Sequence, residues 1–78
     1  MDVLIYTTPA CHFCKEAKAF FDQNGVQYRE INVREDAAAM DAMIKKSGQR
    51  GVPVIDVDGE IIVGFDRPAL VEALDIED

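Results

Sequence analysis

The stretch TPACHFCK, residues 8–15, holds both cysteines of the chain and its only histidine. Cys11 and Cys14 are separated by two residues, one of which is His12. A cysteine pair with this spacing can bind a metal ion, form a permanent disulfide, or act as a redox couple that alternates between dithiol and disulfide. These three kinds of site make different demands on the rest of the chain.

A closed metal site has too few ligands. Structural zinc takes four, whereas the chain offers only Cys11, Cys14 and His12 as soft ligands. Two copies of the chain could together supply four thiolates, so a dimeric iron–sulfur carrier stays open as a less favoured alternative. A permanent disulfide would close so short a loop that it adds only about 2 kcal/mol. We therefore expect a redox couple with no bound metal and no permanent cofactor.

The position of the pair predicts different roles for the two thiols. It follows a predicted strand and opens a predicted helix, where unpaired N–H groups and the helix dipole stabilise negative charge. The pKa of such a cysteine can fall below its ordinary value of about 8.5. Cys11 lies nearer the loop, so we expect it to be exposed and to be the nucleophile. Cys14 falls on the predicted core face, so we expect it to be the resolving thiol, which attacks Cys11 and releases the reduced product.

Two neighbouring side chains are candidates for tuning the pKa of Cys11. As an imidazolium, His12 would favour the Cys11 thiolate and make the protein more oxidising. Alternatively, His12 is a solvent-exposed side chain without a role. Lys15 follows Cys11 by four residues and adds a second favourable charge if its side chain turns back toward the sulfur.

Apolar periodicity predicts the elements that position this pair. An apolar run predicts a buried strand over 3–6, and a second strand is predicted over 26–33. Asp58-Gly59 lies between two apolar runs and predicts a hairpin over 53–64. Helical patterns cover 13–24, 34–48 and 66–75. The resulting order βαβαββα predicts one α/β domain over 1–78, with a mixed four-stranded sheet flanked by three helices.

Composition limits the partners and the setting. With 8 basic and 15 acidic residues, the net charge is −7, which opposes binding to nucleic acid or to an anionic membrane surface. No apolar run approaches the roughly 20 residues of a membrane span, and the N-terminal MDVLIYTT does not resemble a secretory signal. We expect a cytoplasmic monomer, and a reducing cytoplasm favours a catalytic cysteine pair over a permanent disulfide.

Three stretches together resemble the glutaredoxins, small redoxins of the thioredoxin fold: IYTTPACHFCKEAKAFF, GVPVIDVDG and IIVGFDRPAL. The resemblance implies a thioredoxin-like fold and a dithiol–disulfide oxidoreductase that reduces protein or glutathione mixed disulfides, with glutathione as co-substrate. It also implies that Pro53 is the family's cis-proline and that Val52 offers its backbone to a bound peptide or glutathione. Further substrate or glutathione contacts are implied for Phe13, Arg50, Phe65 and Asp66.

The chain departs from the glutaredoxin pattern at several positions. His12 stands where the family usually has proline, and Gly51 where it often has threonine. Val63-Gly64 replaces the usual Gly-Gly, and Thr8 or Pro9 stands where a lysine is common before the first cysteine. These departures weaken the expectation for glutathione. The competing expectation is a redoxin that is reduced by thioredoxin reductase and serves a dedicated protein client such as ribonucleotide reductase.

Overall fold

The computed structural model describes residues 1–76, so the last two residues of the predicted domain lie outside the described part. The predicted order βαβαββα is confirmed. Its elements are β1 (Val3–Thr7), α1 (His12–Gln23), β2 (Arg29–Asn32), α2 (Ala37–Ser47), β3 (Val54–Val57), β4 (Glu60–Val63) and α3 (Arg67–Leu74).

The sheet has four strands in the order β2-β1-β3-β4. β1 pairs with β2 in parallel and with β3 in the antiparallel sense, and the β3–β4 pair is also antiparallel. β1 is therefore an inner strand, and its five residues are all buried. This burial explains the unbroken apolar run, because a strand covered on both faces has no solvent side for polar residues.

Alternate residues of β1 enter two cores on opposite faces of the sheet. Val3 and Ile5 pack into one core with α1 and α3, whose buried side chains there include Phe21 and Leu70. Leu4 and Tyr6 pack into the other core with Val33 and with Ala39 and Met43 of α2. Two helices thus cover one face and one helix covers the other. α1 lies directly over the strand that leads into the cysteine loop.

The second strand is shorter than the pattern over 26–33 predicts. Residues before Arg29 are not in the sheet, because the parallel pairing with β1 begins at Leu4 opposite Arg29. Val26 and Tyr28 are partly buried, but they pack against the α1 core instead of extending the strand. The apolar pattern therefore reports burial correctly at these two positions without reporting strand pairing.

The second helix also begins later than predicted. Asn32 Oδ1 accepts a hydrogen bond of 2.9 Å from the N–H of Arg34, which holds the chain in a turn after β2. Asp36 then caps the helix, since its Oδ1 accepts from the N–H of Ala39 at 3.0 Å. The helix ends at Gly48, whose φ of 74° lies in the left-handed region that glycine adopts readily.

A buried threonine ties the end of β1 to two neighbouring elements. Thr7 is 2% exposed, and its Oγ1 donates a hydrogen bond of 2.8 Å to Glu30 Oε2 on β2. Lys18 Nζ of α1 donates to the same oxygen at 2.9 Å. The hydrogen bond from Lys18, helped by that from Thr7, lowers the pKa of Glu30 below its ordinary value of 4.5 despite partial burial. The network fixes the strand end that precedes the cysteine loop.

The Glu30→Gln variant is expected to lose stability in a pH-dependent way. Because the pKa of Glu30 is depressed in the folded state, its charge stabilises the fold fully above the ordinary value of 4.5. This contribution is lost as the pH falls through the folded pKa. The Glu30 side chain is 37% exposed, so solvent screening keeps the loss below about 1 kcal/mol near pH 7.

Urea unfolding at about pH 7 and about pH 3 measures this effect. The difference in free energy of unfolding between the parent and Glu30→Gln should shrink at the lower pH. Glu72→Gln makes the same change at an exposed position of α3 and is the matched control, expected to equal the parent at both values. An equal loss for Glu30→Gln at both pH values would contradict the assignment.

Candidate active site

The loop between β1 and α1 places Cys11 at the start of the helix. The Cys11 N–H donates to the carbonyl oxygen of Thr8 at 3.3 Å, which closes a turn before α1. Cys11 is the N-cap residue, and its Sγ accepts a hydrogen bond of 3.0 Å from the N–H of Cys14. A sulfur therefore takes the place that an oxygen of serine or aspartate commonly has at a helix start. This N–H would also stabilise negative charge on Cys11 Sγ after reduction.

Cys11 and Cys14 form a disulfide whose Cα atoms are 5.2 Å apart. The two residues differ in exposure. Cys14 is 1% exposed and lies on the same buried face of α1 as Ala17 and Phe21, whereas Cys11 is only partly buried. The order of exposure is the one expected from the helical pattern, with Cys11 the more exposed residue of the two.

A second segment, distant in sequence, lies against the disulfide. Cys11 Sγ is 3.7 Å from the carbonyl oxygen of Val52, although the two residues are 41 positions apart. The peptide bond between Val52 and Pro53 is cis, as the resemblance implied, and Pro53 is fully buried. Val52 thus presents its backbone beside the cysteine pair, just before β3 begins.

The residues between the cysteines lie on the surface. Phe13 is 58% exposed, so its ring is not part of the core. His12 is the first residue of α1, and its side chain is 77% exposed. Its Nε2 lies 3.3 Å from Glu16 Oε1, and its ring meets Phe13 in an edge arrangement with centroids 5.6 Å apart. The exposed-side-chain interpretation of His12 is therefore right about exposure, but the imidazole has two neighbours.

The remaining predicted site residues are Lys15, Arg50, Phe65 and Asp66. Lys15 and Arg50 are exposed. Phe65 is partly buried against Phe20, with ring centroids 5.9 Å apart. Asp66 caps α3, because its Oδ1 accepts from the N–H of Ala69 at 3.2 Å. Within residues 1–76 the structure gives no hydrogen bond, ion pair or ring contact between any of these side chains and either cysteine.

Two residues that contact the site or the strand leading to it, Glu16 and Glu30, were not predicted from the sequence. Glu16 contacts His12, and the signal for it was the spacing of four residues on a helix, which places two side chains on one face. Glu30 supports Thr7, but it had no local signal because the contact depends on strand pairing. In the described part of the chain, no group of three or more His, Cys, Asp or Glu residues could hold a metal ion. No helix there is long and apolar enough to span a membrane.

Comparison with known proteins agrees with this geometry. A family model described as glutaredoxin matches residues 3–62. Glutaredoxin 3 of Escherichia coli (strain K12) is 40% identical over 65 residues, which is 83% of this chain and 78% of the relative.

Two solved structures share the fold over nearly the whole chain. A mutant of the thioredoxin-like protein BC3987 matches with a TM-score of 0.92 at 33% identity and 97% coverage of both chains. NrdH-redoxin from Escherichia coli, a glutaredoxin-like protein with a thioredoxin-like activity profile, matches with a TM-score of 0.82 at 30% identity and 95% coverage of both chains.

Proposed function

Because the chain belongs to the glutaredoxin family and is a dithiol–disulfide oxidoreductase, we propose that Cys11 is its nucleophile and Cys14 its resolving thiol. The observation that carries this proposal is the contrast between the two sulfurs. Cys11 Sγ sits at the start of α1 and accepts an N–H at 3.0 Å, whereas Cys14 is 1% exposed. An accessible thiolate that is stabilised by an N–H group is a good nucleophile toward a substrate disulfide. A buried thiol three residues away can then attack the mixed disulfide that forms.

The two steps exchange one disulfide for another. The Cys11 thiolate attacks one sulfur of the substrate disulfide, forms a mixed disulfide, and expels the other substrate sulfur as a thiolate that takes up a proton. Cys14 then loses its proton and attacks Cys11, which closes the Cys11–Cys14 disulfide and expels the second substrate thiolate. The substrate gains two electrons and two protons, and the protein becomes the disulfide that the structure contains.

We assign the substrate surface to the segment beside the disulfide and to the exposed ring between the cysteines. The backbone of Val52, 3.7 Å from Cys11 Sγ, is placed to pair with an extended peptide or with glutathione. Phe13, two residues after Cys11 and 58% exposed, offers an apolar face to a substrate. Glutathione carboxylates would be held by Arg50 on one side and, on the other, by N–H groups at the start of α3 near Phe65 and Asp66.

Glutathione is the proposed electron donor, and thioredoxin reductase is the second candidate. The second candidate is favoured by Gly51 and by Val63-Gly64, which depart from the usual glutathione-binding pattern. It is also favoured by the likeness to NrdH-redoxin, which covers 95% of both chains. In either case the clients are proteins with accessible disulfides.

Coupled NADPH oxidation decides between the two donors. Turnover is expected with glutathione and glutathione reductase, using a small mixed disulfide as substrate. Turnover with thioredoxin reductase alone is expected to be much slower. The opposite pattern would reject glutathione and assign the protein to the second candidate.

Arg50→Gln should raise KM for the glutathione substrate without lowering kcat, since a surface cation contributes to binding and not to the thiol exchange.

We further propose that the protein acts as a cytoplasmic monomer without a metal cluster. Thiols are kept reduced in the cytoplasm, so the dithiol form that reduces a substrate is maintained there. Size-exclusion chromatography and the visible absorption spectrum of the purified protein check this proposal. A dimer with cluster absorption bands would instead support the iron–sulfur carrier, which would need cysteines from two copies.

A further inference from the structure

One side chain in the loop before β3 hydrogen-bonds both backbone groups of a nearby residue. Gln49 Oε1 accepts from the N–H of Gly51 at 2.6 Å, and Gln49 Nε2 donates to the carbonyl oxygen of Gly51 at 2.9 Å. A carboxamide has a donor end and an acceptor end, which match the C=O and the N–H of one residue. We call this pair of residues, Gln49 and Gly51, the Gln49 clamp.

The clamp depends on glycine at position 51. A Cβ atom on Gly51 would lie 2.7 Å from Gln49 Oε1, closer than Cβ atoms approach other heavy atoms in folded proteins. The three heavy atoms nearest to that Cβ all belong to the Gln49 side chain. The φ of Gly51 lies outside the left-handed region, so its backbone conformation does not itself require glycine. A side chain at position 51 would therefore displace the carboxamide and leave the backbone of the loop unstrained.

The clamp orients the backbone that lies beside Cys11. The carbonyl of Gly51 and the N–H of Val52 belong to one planar peptide group, so the hydrogen bond from Gln49 Nε2 also sets the direction of the Val52 N–H. On its other side Val52 is joined to the fully buried Pro53, and its carbonyl oxygen lies 3.7 Å from Cys11 Sγ. Because glycine has wide backbone freedom, the side of Val52 that is not joined to Pro53 needs the clamp to be held in place.

We infer that Gln49 is a positioning residue of the substrate surface, which acts through Gly51 to hold the Val52 backbone in the orientation that pairs with an extended peptide. The inference rests on the proposed role of Val52 in substrate binding. Gln49 has this effect without touching the substrate or the reacting sulfurs. A protein disulfide should therefore depend on the clamp, whereas a disulfide without a peptide backbone should not.

The test compares two disulfide substrates in single-turnover reactions. Reduced protein is mixed with an excess of insulin, whose disulfides are flanked by peptide backbone, or of bis(hydroxyethyl) disulfide, which has none. Cys11 and Cys14 give two electrons and two protons to the substrate disulfide, which becomes two thiols, and the protein becomes the Cys11–Cys14 disulfide. Acid quenching, alkylation and mass spectrometry follow the loss of the dithiol. The substrate concentration at half the limiting rate reports binding, and the limiting rate reports the exchange.

Gln49→Ala is expected to raise the half-saturating insulin concentration about three-fold, because it removes hydrogen bonds from a loop open to solvent. The limiting rate, and both values for bis(hydroxyethyl) disulfide, should match the parent. Gly51→Ala should have the same effect, because its methyl group displaces the carboxamide. In the Gln49→Ala background, Gly51→Ala should add less than about 1.5-fold. The control is Gln27→Ala, which removes the same side chain at an exposed position before β2 and should match the parent.

The inference is overturned if Gln49→Ala leaves insulin binding unchanged, weakens the binding of both substrates equally, or does not reduce the effect of Gly51→Ala. Its failure can be told apart from failure of the proposed function. In the parent, insulin should reach half the limiting rate at a lower concentration than bis(hydroxyethyl) disulfide. Equal values in the parent would reject the proposed substrate surface at Val52, and the inference with it. A parent that prefers insulin, together with an unchanged Gln49→Ala, rejects only the role of Gln49.

Discussion

Replacing Cys11 with serine is expected to lower kcat/KM for disulfide reduction by at least about a thousand-fold. A serine hydroxyl stays protonated at neutral pH and does not attack a disulfide, and the buried Cys14 cannot take its place because it is 1% exposed. The measurement is the coupled NADPH assay with a protein disulfide as substrate. Unfolding of Cys11→Ser is compared with that of the reduced parent, so that a loss of fold is not mistaken for a loss of chemistry.

The matched variant is Cys14→Ser, which keeps the nucleophile and removes the resolving thiol. It is expected to form the mixed disulfide with the substrate and to accumulate it, which intact-mass spectrometry detects. Reduction of protein disulfides should then fall strongly, while removal of glutathione from a glutathionylated substrate can persist because free glutathione resolves Cys11. Full activity of Cys14→Ser on protein disulfides would contradict the two-thiol mechanism. Accumulation of the adduct on Cys11→Ser would reverse the two roles.

The difference between the two thiols could be predicted from sequence because it is local. Cys11 and Cys14 are three residues apart at the start of one helix, and the apolar pattern of Ala17 and Phe21 indicates which face is buried. Helix position and helix phase are short-range properties, so both the place of Cys11 near the helix start and the burial of Cys14 followed from them. The predicted start at residue 13 is one residue late, since the helix begins at His12 and Cys11 is its cap. The contact between His12 and Glu16 belongs to the same class, since its spacing of four residues was visible.

Contacts between residues that are distant in sequence could not be predicted from the apolar pattern alone. Val52 lies beside Cys11 Sγ across 41 positions of sequence, which depends on β3 pairing with β1 in one register. The resemblance to a family assigned Val52 to the substrate site, whereas periodicity supplied only the strands. Neither the family resemblance nor periodicity predicted the hydrogen bonds among Thr7, Glu30 and Lys18. Their network joins three elements and leaves no repeating pattern in the chain.

The length of β2 also depends on contacts that are distant in sequence, so the local apolar pattern did not predict it. The apolar positions Val26 and Tyr28 predict a strand, but their burial comes from packing against the α1 core. A side chain can be buried by a helix or by strand pairing, and the sequence pattern does not separate the two. The register of the parallel pair, which begins with Leu4 opposite Arg29, decides where the strand starts.

Phe21→Ala is expected to be the most destabilising single change in the α1 core. Phe21 is 0% exposed and packs beneath the helix that carries the cysteines. Truncation of a buried phenylalanine to alanine costs about 3–5 kcal/mol, from lost transfer free energy and from the cavity left behind. A domain of 78 residues has a total stability of about 4–12 kcal/mol, so the variant should be close to its unfolding limit.

Phe13→Ala makes the same chemical change two residues after Cys11, where the ring is 58% exposed, and should alter the free energy of unfolding by less than about 0.5 kcal/mol. Denaturant unfolding of the oxidised proteins measures both changes. If Phe21→Ala does not fold, Phe21→Leu keeps the comparison possible, because it removes less volume and should cost about 1–2 kcal/mol. Equal losses for Phe21→Leu and Phe13→Ala would contradict the placement of Phe21 in the core.

The two variants should also differ in how they slow disulfide reduction. α1 fixes the N–H group that donates to Cys11 Sγ, so a less rigid helix in Phe21→Leu should slow the reaction itself. Phe13→Ala should slow it only through weaker substrate binding and a higher KM.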